Sequence, residues 1–195
     1  YVLFYKPEFY LANPTEIVMV WRGGMSFHGG LLGVVAATWL FARNRGVGFL
    51  SVIDVVAAAA PIGLFFGRIA NFINGELFGR ASDVPWAMVF PHGGPIARHP
   101  SQLYEAALEG LLLFVVIALI ARRPSVRVKR GALTGLFLVG YAIARILAEL
   151  FREPDAHLGF LAGGVTMGQV LSLPMLLIGL GLVWLASRGR FDDVR

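Results

Sequence analysis

Residues 158–187 read LGFLAGGVTMGQVLSLPMLLIGLGLVWLAS, an unbroken run without a charged side chain. About 20 such residues cross a hydrocarbon core roughly 30 Å thick as an α-helix, a form that satisfies the backbone N–H and C=O groups within the segment. The run exceeds one crossing, so its first residues are expected to form a loop or a tilted lead-in to the helix. The same pattern recurs upstream, where residues 23–42 carry no charge unless His28 is protonated. Over all 195 residues 57% are hydrophobic and 15% charged, with mean hydropathy +0.71. A soluble domain holds about a quarter charged residues. The chain reads as an all-α integral membrane protein, and a soluble enzyme, a disordered tail and a β-barrel are excluded.

Five spans are expected, at about 24–42, 48–67, 103–121, 131–148 and 158–187. Before them stands Tyr1-Val-Leu-Phe-Tyr5, which reads as the end of a further span whose beginning is missing. Pro61 and Pro174 fall inside spans, where neighbouring helices satisfy the freed carbonyls. The connection at about 68–102, rich in Gly and Pro, is the one long loop and is expected to be irregular, exterior-facing and functional. Together these make a polytopic transmembrane helix bundle, a single transmembrane domain over 1–195.

The formal charge of +5 and pI near 10.1 raise the question of nucleic acid, which the placement of the basic residues answers. Arg43 and Arg45, then Arg122, Arg123, Arg127, Lys129 and Arg130, then Arg188, Arg190 and Arg195 occupy two loops and the tail. Alternating the spans puts these ten of the seventeen Lys and Arg on one side, which the positive-inside rule makes cytoplasmic. They are topology signals and anionic-lipid contacts, so no nucleic-acid partner is expected. The chain has no cysteine, which removes a thiol nucleophile, a disulfide frame and a thiolate metal site.

The other side gathers polar groups at one membrane depth. His28 lies near the outer end of the first full span, Arg68 at that of the second and Arg145 near that of the fourth, while His99, Glu105 and Glu109 enter the third from the same side. Tyr141, Arg145 and Glu149 are spaced by four and share one helix stripe, which should face the bundle interior because an ionisable group facing lipid costs several kcal/mol or so. An Arg–Glu pair one turn apart also serves as a plain structural ion pair. Gly67-Arg68-Ile69-Ala70-Asn71-Phe72-Ile73-Asn74-Gly75-Glu76-Leu77-Phe78-Gly79-Arg80 packs two Arg, two Asn and a Glu among glycines that let backbone approach a ligand. A lone snorkelling Arg is commonplace, but this density of polar groups favours a polar site. In Met25-Ser26-Phe27-His28-Gly29-Gly30, the imidazole can act as base, acid or donor near pH 7, or merely be solvated at the interface. Glu105 and Glu109 share a face and are candidate counter-ions for Arg68 or Arg145. Pro100 suits a first helical position, with His99 before it. Thr166-Met167-Gly168-Gln169 reads as helix packing through small residues, and Asp54 as a structural hydrogen-bond partner. The four histidines show no zinc-ligand spacing, so no metal and no cofactor are expected.

Two buried guanidinia with flanking amides and hydroxyls form an anion receptor suited to phosphate, and at this depth the natural anion is a phospholipid headgroup. That leaves a lipid-modifying transferase, an anion or phospholipid transporter or binding protein, and a lipid-anchored assembly factor. Matching broken helices in two half-structures, expected of a transporter, are not evident.

MSFHGG at 25–30, GRIANFINGELFGR at 67–80, RHPSQLYE at 98–105, YAIARILAELFREPD at 141–155 and TMGQVLS at 166–172 together resemble the bacterial prolipoprotein diacylglyceryl transferases over nearly the whole chain. The resemblance implies a seven-span inner-membrane enzyme with its site toward the periplasm, which agrees with the cytoplasmic C-terminus expected from the basic loops. Such an enzyme moves the diacylglyceryl group of phosphatidylglycerol to the lipobox cysteine thiol of a preprolipoprotein signal peptide, forming a thioether and releasing glycerol 1-phosphate. It further implies that Arg68 and Arg145 stabilise the departing phosphate and that Asn71, Glu76 and Gly79 help shape the headgroup pocket, to which Glu149 is added as Arg145's neighbour. The thiol also needs a base, for which His28 is the first candidate and Tyr141 or a Glu the second. Gly29, Gly30, Asn74, His99 and Glu105 stand as supporting residues.

Overall fold

The computed structural model describes residues 2, 6–19, 21, 26–154 and 160–191, without the side chains of Phe27, His28 and Ala162. The chain forms two compact units, residues 1–49 and 50–195. In the first, α1 (Pro7–Ala12) leads into a 3₁₀ turn (Pro14–Val18), and α2 (Phe27–Arg45) follows. Both short elements begin on proline, whose fixed φ suits a first helical position. The last turn of α2 carries Arg43 and Arg45, which complement the negative end of the helix dipole. The stub at residues 1–5 lies outside the described residues except for position 2.

The second unit opens within α3 (Phe49–Asn74), which ends at Gly75 in the left-handed region with φ +68°. The helix therefore outruns the expected 48–67 span by two turns, and the segment expected to be irregular from residue 68 is helical at its start. Arg68 sits inside the helix rather than at its end, because Arg68, Asn71 and Asn74 interrupt the apolar pattern without breaking the backbone ladder. Two short strands follow, β1 (Met88–Val89) and β2 (Ala97–Arg98), paired antiparallel with Met88 opposite Arg98. Residues 79–81 lie between β2 and the chain at Arg152, through bridges from Ala81 to Arg98 and from Gly79 to Arg152.

A continuous 21-residue rod comes next, built from α4 (Ser101–Glu105), a π-helical segment (Ala106–Leu112) and α5 (Leu113–Ala121). Pro100 is the residue that caps this rod, one position before its expected place at the first helical turn. The short α6 (Pro124–Arg127) leads to α7 (Ala132–Ala148), and a 3₁₀ turn (Ala162–Gly164) leads to α8 (Met167–Ser187). The last helix starts nine residues into its apolar run. Thr166 sets that start: its hydroxyl accepts from the Gln169 backbone amide at 3.3 Å while the Gln169 side-chain Oε1 accepts from the Thr166 backbone amide at 3.1 Å. This is a reciprocal cap that satisfies two otherwise orphaned donors.

By length and composition, three rods among the described residues can cross a membrane: Phe49–Asn74, Ser101–Ala121 and Met167–Ser187. α7 is a shorter apolar helix of 17 residues. The architecture is that of a polytopic helical membrane protein. α7 and α8 touch through Gly135 and Gly179, where a Cβ on either would come within 2.9 Å of the other's carbonyl oxygen. Such close backbone approach is how helices associate where no hydrophobic force acts between them. Asp54, a turn and a half into α3, caps α7 from a neighbouring helix. Its carboxylate accepts from the amides of Gly131 and Thr134, both at 2.7 Å, and from the Thr134 hydroxyl at 2.5 Å. The structural role expected for Asp54 is thus satisfied at the positive end of the α7 dipole.

These contacts fix the directions of the rods. α3 and α7 begin at the same end, next to the basic loop 122–130, and α8 returns there, so that Phe191 lies near Gly131. The end of α3, the start of α4, the end of α7 and the start of α8 meet at the opposite end.

Candidate functional site

Phe65 and Gly110 bring that opposite end together. A Cβ on Gly110 would lie 2.6 Å from Phe65 Cβ and 2.8 Å from its Cα, so α3 and the π-helical segment touch where only hydrogen fits. Arg68 follows Phe65 by one turn, and Glu109 precedes Gly110, which sets guanidinium against carboxylate. π-Helical insertions recur at functional sites because they re-aim side chains within a rod. Here the insertion covers Glu109.

Two arginines from different helices converge on one oxygen. Glu105 Oε2 lies 2.9 Å from Arg68 Nε and 2.8 Å from Arg145 Nη1. Glu109 also reaches both: its Oε2 is 3.1 Å from Arg68 Nη2 and its Oε1 is 3.4 Å from Arg145 Nη1. Glu149 closes the other side of Arg145, with Oε1 2.5 Å from Nη2. Glu105 and Glu109 are fully buried, while the side chains of Arg68 and Arg145 keep 16% and 13% exposure. The arginines are therefore the edge of the cluster that a ligand can reach. Tyr141 stacks on Phe137 and lies within electrostatic reach of Glu109, Arg145, Arg68 and Glu105. Glu105 Oε1 and Gln102 Oε1, one turn apart on α4, are buried without a hydrogen-bond partner among the described residues.

A second layer holds this cluster in place. A Cβ on Gly168 would lie 2.5 Å from Glu149 Oε1, so the glycine near the start of α8 admits the carboxylate to the positive end of that helix. The stretch TMGQ thus works as a cap and a seat for Glu149 rather than as small-residue packing alone. Arg80 donates to the carbonyls of Glu149 at 3.0 Å and Arg152 at 2.9 Å, satisfying the end of α7. Arg98 donates to the Gly93 and Gly79 carbonyls and pairs with Glu153 at 3.1 Å. Gly79 is required by contact: a Cβ there would lie 2.5 Å from the Phe151 carbonyl oxygen and 2.6 Å from that of His99.

The remaining residues singled out from sequence fall into three groups. Asn71 and Asn74 both donate to Glu76 Oε1, at 2.9 and 3.3 Å, and Gln102 donates to the Glu76 carbonyl at 2.6 Å, so this group clasps the turn after α3 one helical turn from Arg68. His99 Nδ1 lies 3.1 Å from the Tyr104 hydroxyl, which accepts from Trp86 Nε1 at 2.6 Å, and the His99, Tyr104 and Phe151 rings pack edge to face. His99 therefore belongs to an aromatic bracket beside Gly79. His28, Gly29 and Gly30 lie in the first turn of α2, in the other unit, and the His28 side chain is outside the described residues. The sequence reading overlooked Arg80, Arg98, Gln102, Trp86 and Tyr104 as builders of the site. Their signal was present, since all but Trp86 fall in the two blocks 67–80 and 98–105.

A family model described as prolipoprotein diacylglyceryl transferase matches residues 1–185. Proteins named phosphatidylglycerol–prolipoprotein diacylglyceryl transferase align along almost all of the chain. That of Paramagnetospirillum magneticum is 63% identical over 191 residues, covering 97% of this chain and 71% of the relative. That of Rhodospirillum rubrum is also 63% identical over 191 residues, covering 97% and 70%. That of Azospirillum brasilense is 60% identical over 192 residues, covering 97% and 70%.

Proposed function

The chain belongs to the prolipoprotein diacylglyceryl transferase family, and from that premise we propose that its arginine–glutamate cluster is where the transfer takes place. The activity is transfer of a diacylglyceryl group from phosphatidylglycerol to a prolipoprotein, a step of lipoprotein maturation. The enzyme is embedded in a membrane, which we take to be the bacterial cytoplasmic membrane, with the cluster facing the periplasm and the tail in the cytoplasm. The motive for that orientation is the run of basic residues at the far end of the bundle.

The acceptor in this reading is the lipobox cysteine thiol of the substrate's signal peptide, which suits an enzyme with no cysteine of its own. Sulfur attacks the glyceryl C3 carbon of phosphatidylglycerol. The C–S bond forms as the C–O bond to phosphate breaks, and the electron pair stays with the phosphate oxygen. The thiol proton goes to a base, first His28 and otherwise Tyr141 or a glutamate, and glycerol 1-phosphate departs. Thiolate is the competent nucleophile, so that proton must leave before or during attack. Negative charge grows on the phosphate, and Arg68 and Arg145 are the groups to hold it. Asn71, Glu76, Gly79 and Glu149 complete the headgroup pocket in this proposal, with Gly29, Gly30, Asn74, His99 and Glu105 supporting.

The observation that carries the reading is the convergence of Arg68 and Arg145 on Glu105 Oε2, at 2.9 and 2.8 Å, from two different helices. Two planar forks aimed at one point can grip a phosphate from two sides. The test is direct. Purified protein, phosphatidylglycerol and a lipobox peptide should yield a diacylglyceryl thioether on the peptide by mass spectrometry, and a peptide with serine for that cysteine should stay unmodified. Failure to form thioether at any protein level would favour anion or phospholipid binding or transport.

A further inference from the structure

The phosphate-binding arginines are already held by carboxylates. Glu109 touches both guanidinia through its two separate oxygens, as the two non-bridging oxygens of a phosphodiester would. Glu105 shares one oxygen between them. Building on the proposed phosphate clamp, we infer that Glu105 and Glu109 are specificity-determining residues that let the clamp hold a singly charged phosphodiester and reject a doubly charged phosphomonoester.

The charge count supplies the reason. Arg68, Arg145 and Arg152, the last with its Nε 3.9 Å from Glu149 Oε1, balance the charges of Glu105, Glu109 and Glu149. A phosphodiester brings the site to −1, and a fully ionised phosphomonoester brings it to −2, beside two buried carboxylates. Glu105 and Glu109 have no exposed side-chain surface, so water and salt screen this repulsion poorly. Glu105 Oε1, buried without a donor among the described residues, leaves part of that negative charge uncompensated beside the arginines.

The substrate lipid is a phosphodiester and the released glycerol 1-phosphate a phosphomonoester, whose second ionisation falls near pH 6. The arginines therefore meet the growing charge during transfer. Once the product is doubly charged, the carboxylates reclaim both guanidinia and the product leaves. The groups facing Glu109 among the described residues are Arg68 from α3, Glu105 from α4, and Tyr141 and Arg145 from α7. None of these four is a histidine, and we assign the pH dependence of inhibition near 6 to the product's second ionisation.

The experiment measures inhibition of the transfer reaction by glycerol 1-phosphate, and by inorganic phosphate as a second probe, between pH 5 and 8. In the parent protein inhibition should weaken as pH rises through the product's second ionisation. Glu109→Gln should tighten inhibition at pH 8 by about tenfold, flatten that pH dependence, and lower kcat together with KM as product lingers. Glu105→Gln, read in the same way, covers a Glu109→Gln protein that does not fold, and matched melting temperatures show that the comparison is between folded proteins. Unchanged or weaker inhibition in the folded variants overturns the inference and leaves the clamp standing. Absence of inhibition by either anion in the parent protein overturns both.

Discussion

Gly110→Ala should separate geometry from chemistry at the site. The added Cβ would sit 2.6 Å from Phe65 Cβ, 2.8 Å from Phe65 Cα and 3.0 Å from Phe65 N. Carbon atoms in contact lie about 3.5–4 Å apart, so α3 and the π-helical segment must move apart by about 1 Å. Two of the three clashing atoms are backbone, so a rotamer change at Phe65 cannot relieve them. The movement acts where Arg68 meets Glu105 at 2.9 Å and Glu109 at 3.1 Å, because Arg68 is one turn beyond Phe65 and Glu109 is next to Gly110. Overpacking of this kind costs about 1–3 kcal/mol of stability. Displacing reacting or clamping groups by about 1 Å costs on the order of a hundredfold in rate. The expected protein is therefore folded, melts a few degrees lower, and transfers about a hundredfold more slowly. Tryptophan fluorescence melting in detergent and initial rates of thioether formation read the two effects separately. A Gly110→Ala protein with the parent's melting temperature and kcat would refute the claim that this contact positions the arginines.

Asp54→Asn keeps the shape but sets an amide against the Gly131 and Thr134 donors, so it should cost about 1–3 kcal/mol in thermal unfolding while the folded fraction keeps its kcat. For orientation, Arg45→Cys, Arg127→Cys and Arg190→Cys should each resist an impermeant thiol reagent in intact cells, whereas His92→Cys should be labelled; the reverse pattern would place the site in the cytoplasm. His28→Gln should still bind phosphatidylglycerol, turn over far more slowly and lose the rise of activity with pH on the acid side. Persistence of that rise would pass the proton to Tyr141, a glutamate or solvent.

The spans were legible because a hydrocarbon core enforces long uncharged runs, and Arg68 and Arg145 were legible as interior groups because charge inside such runs cannot face lipid. Helix ends were less so. α3 continues through Arg68, Asn71 and Asn74 because helical hydrogen bonding does not depend on side-chain polarity, and the break comes at Gly75, where the backbone turns left-handed. The start of α8 was readable in the Thr166–Gln169 spacing, a cap signature that the apolar run around it obscured. Glu105 and Glu109 could be named as counter-ions, but not their sharing of both arginines. That sharing needs the Phe65–Gly110 contact between distant segments and a π-helical insertion that no local pattern announces. Asp54 capping α7, 77 residues away at Gly131, is likewise a tertiary fact. The small sheet around Gly79 formed where irregular chain was expected, because strands of two residues carry too little alternation to read.

Arg68→Lys and Arg145→Lys, assayed for thioether formation from phosphatidylglycerol and a lipobox peptide, test the paired-arginine clamp most directly. Each keeps the positive charge and so leaves the buried glutamates neutralised, yet loses the planar fork that two phosphate oxygens require. Each variant should remain folded and lose roughly 3 kcal/mol of transition-state stabilisation, on the order of a hundredfold in rate. Folded lysine variants that transfer the diacylglyceryl group at close to the parent rate would contradict it.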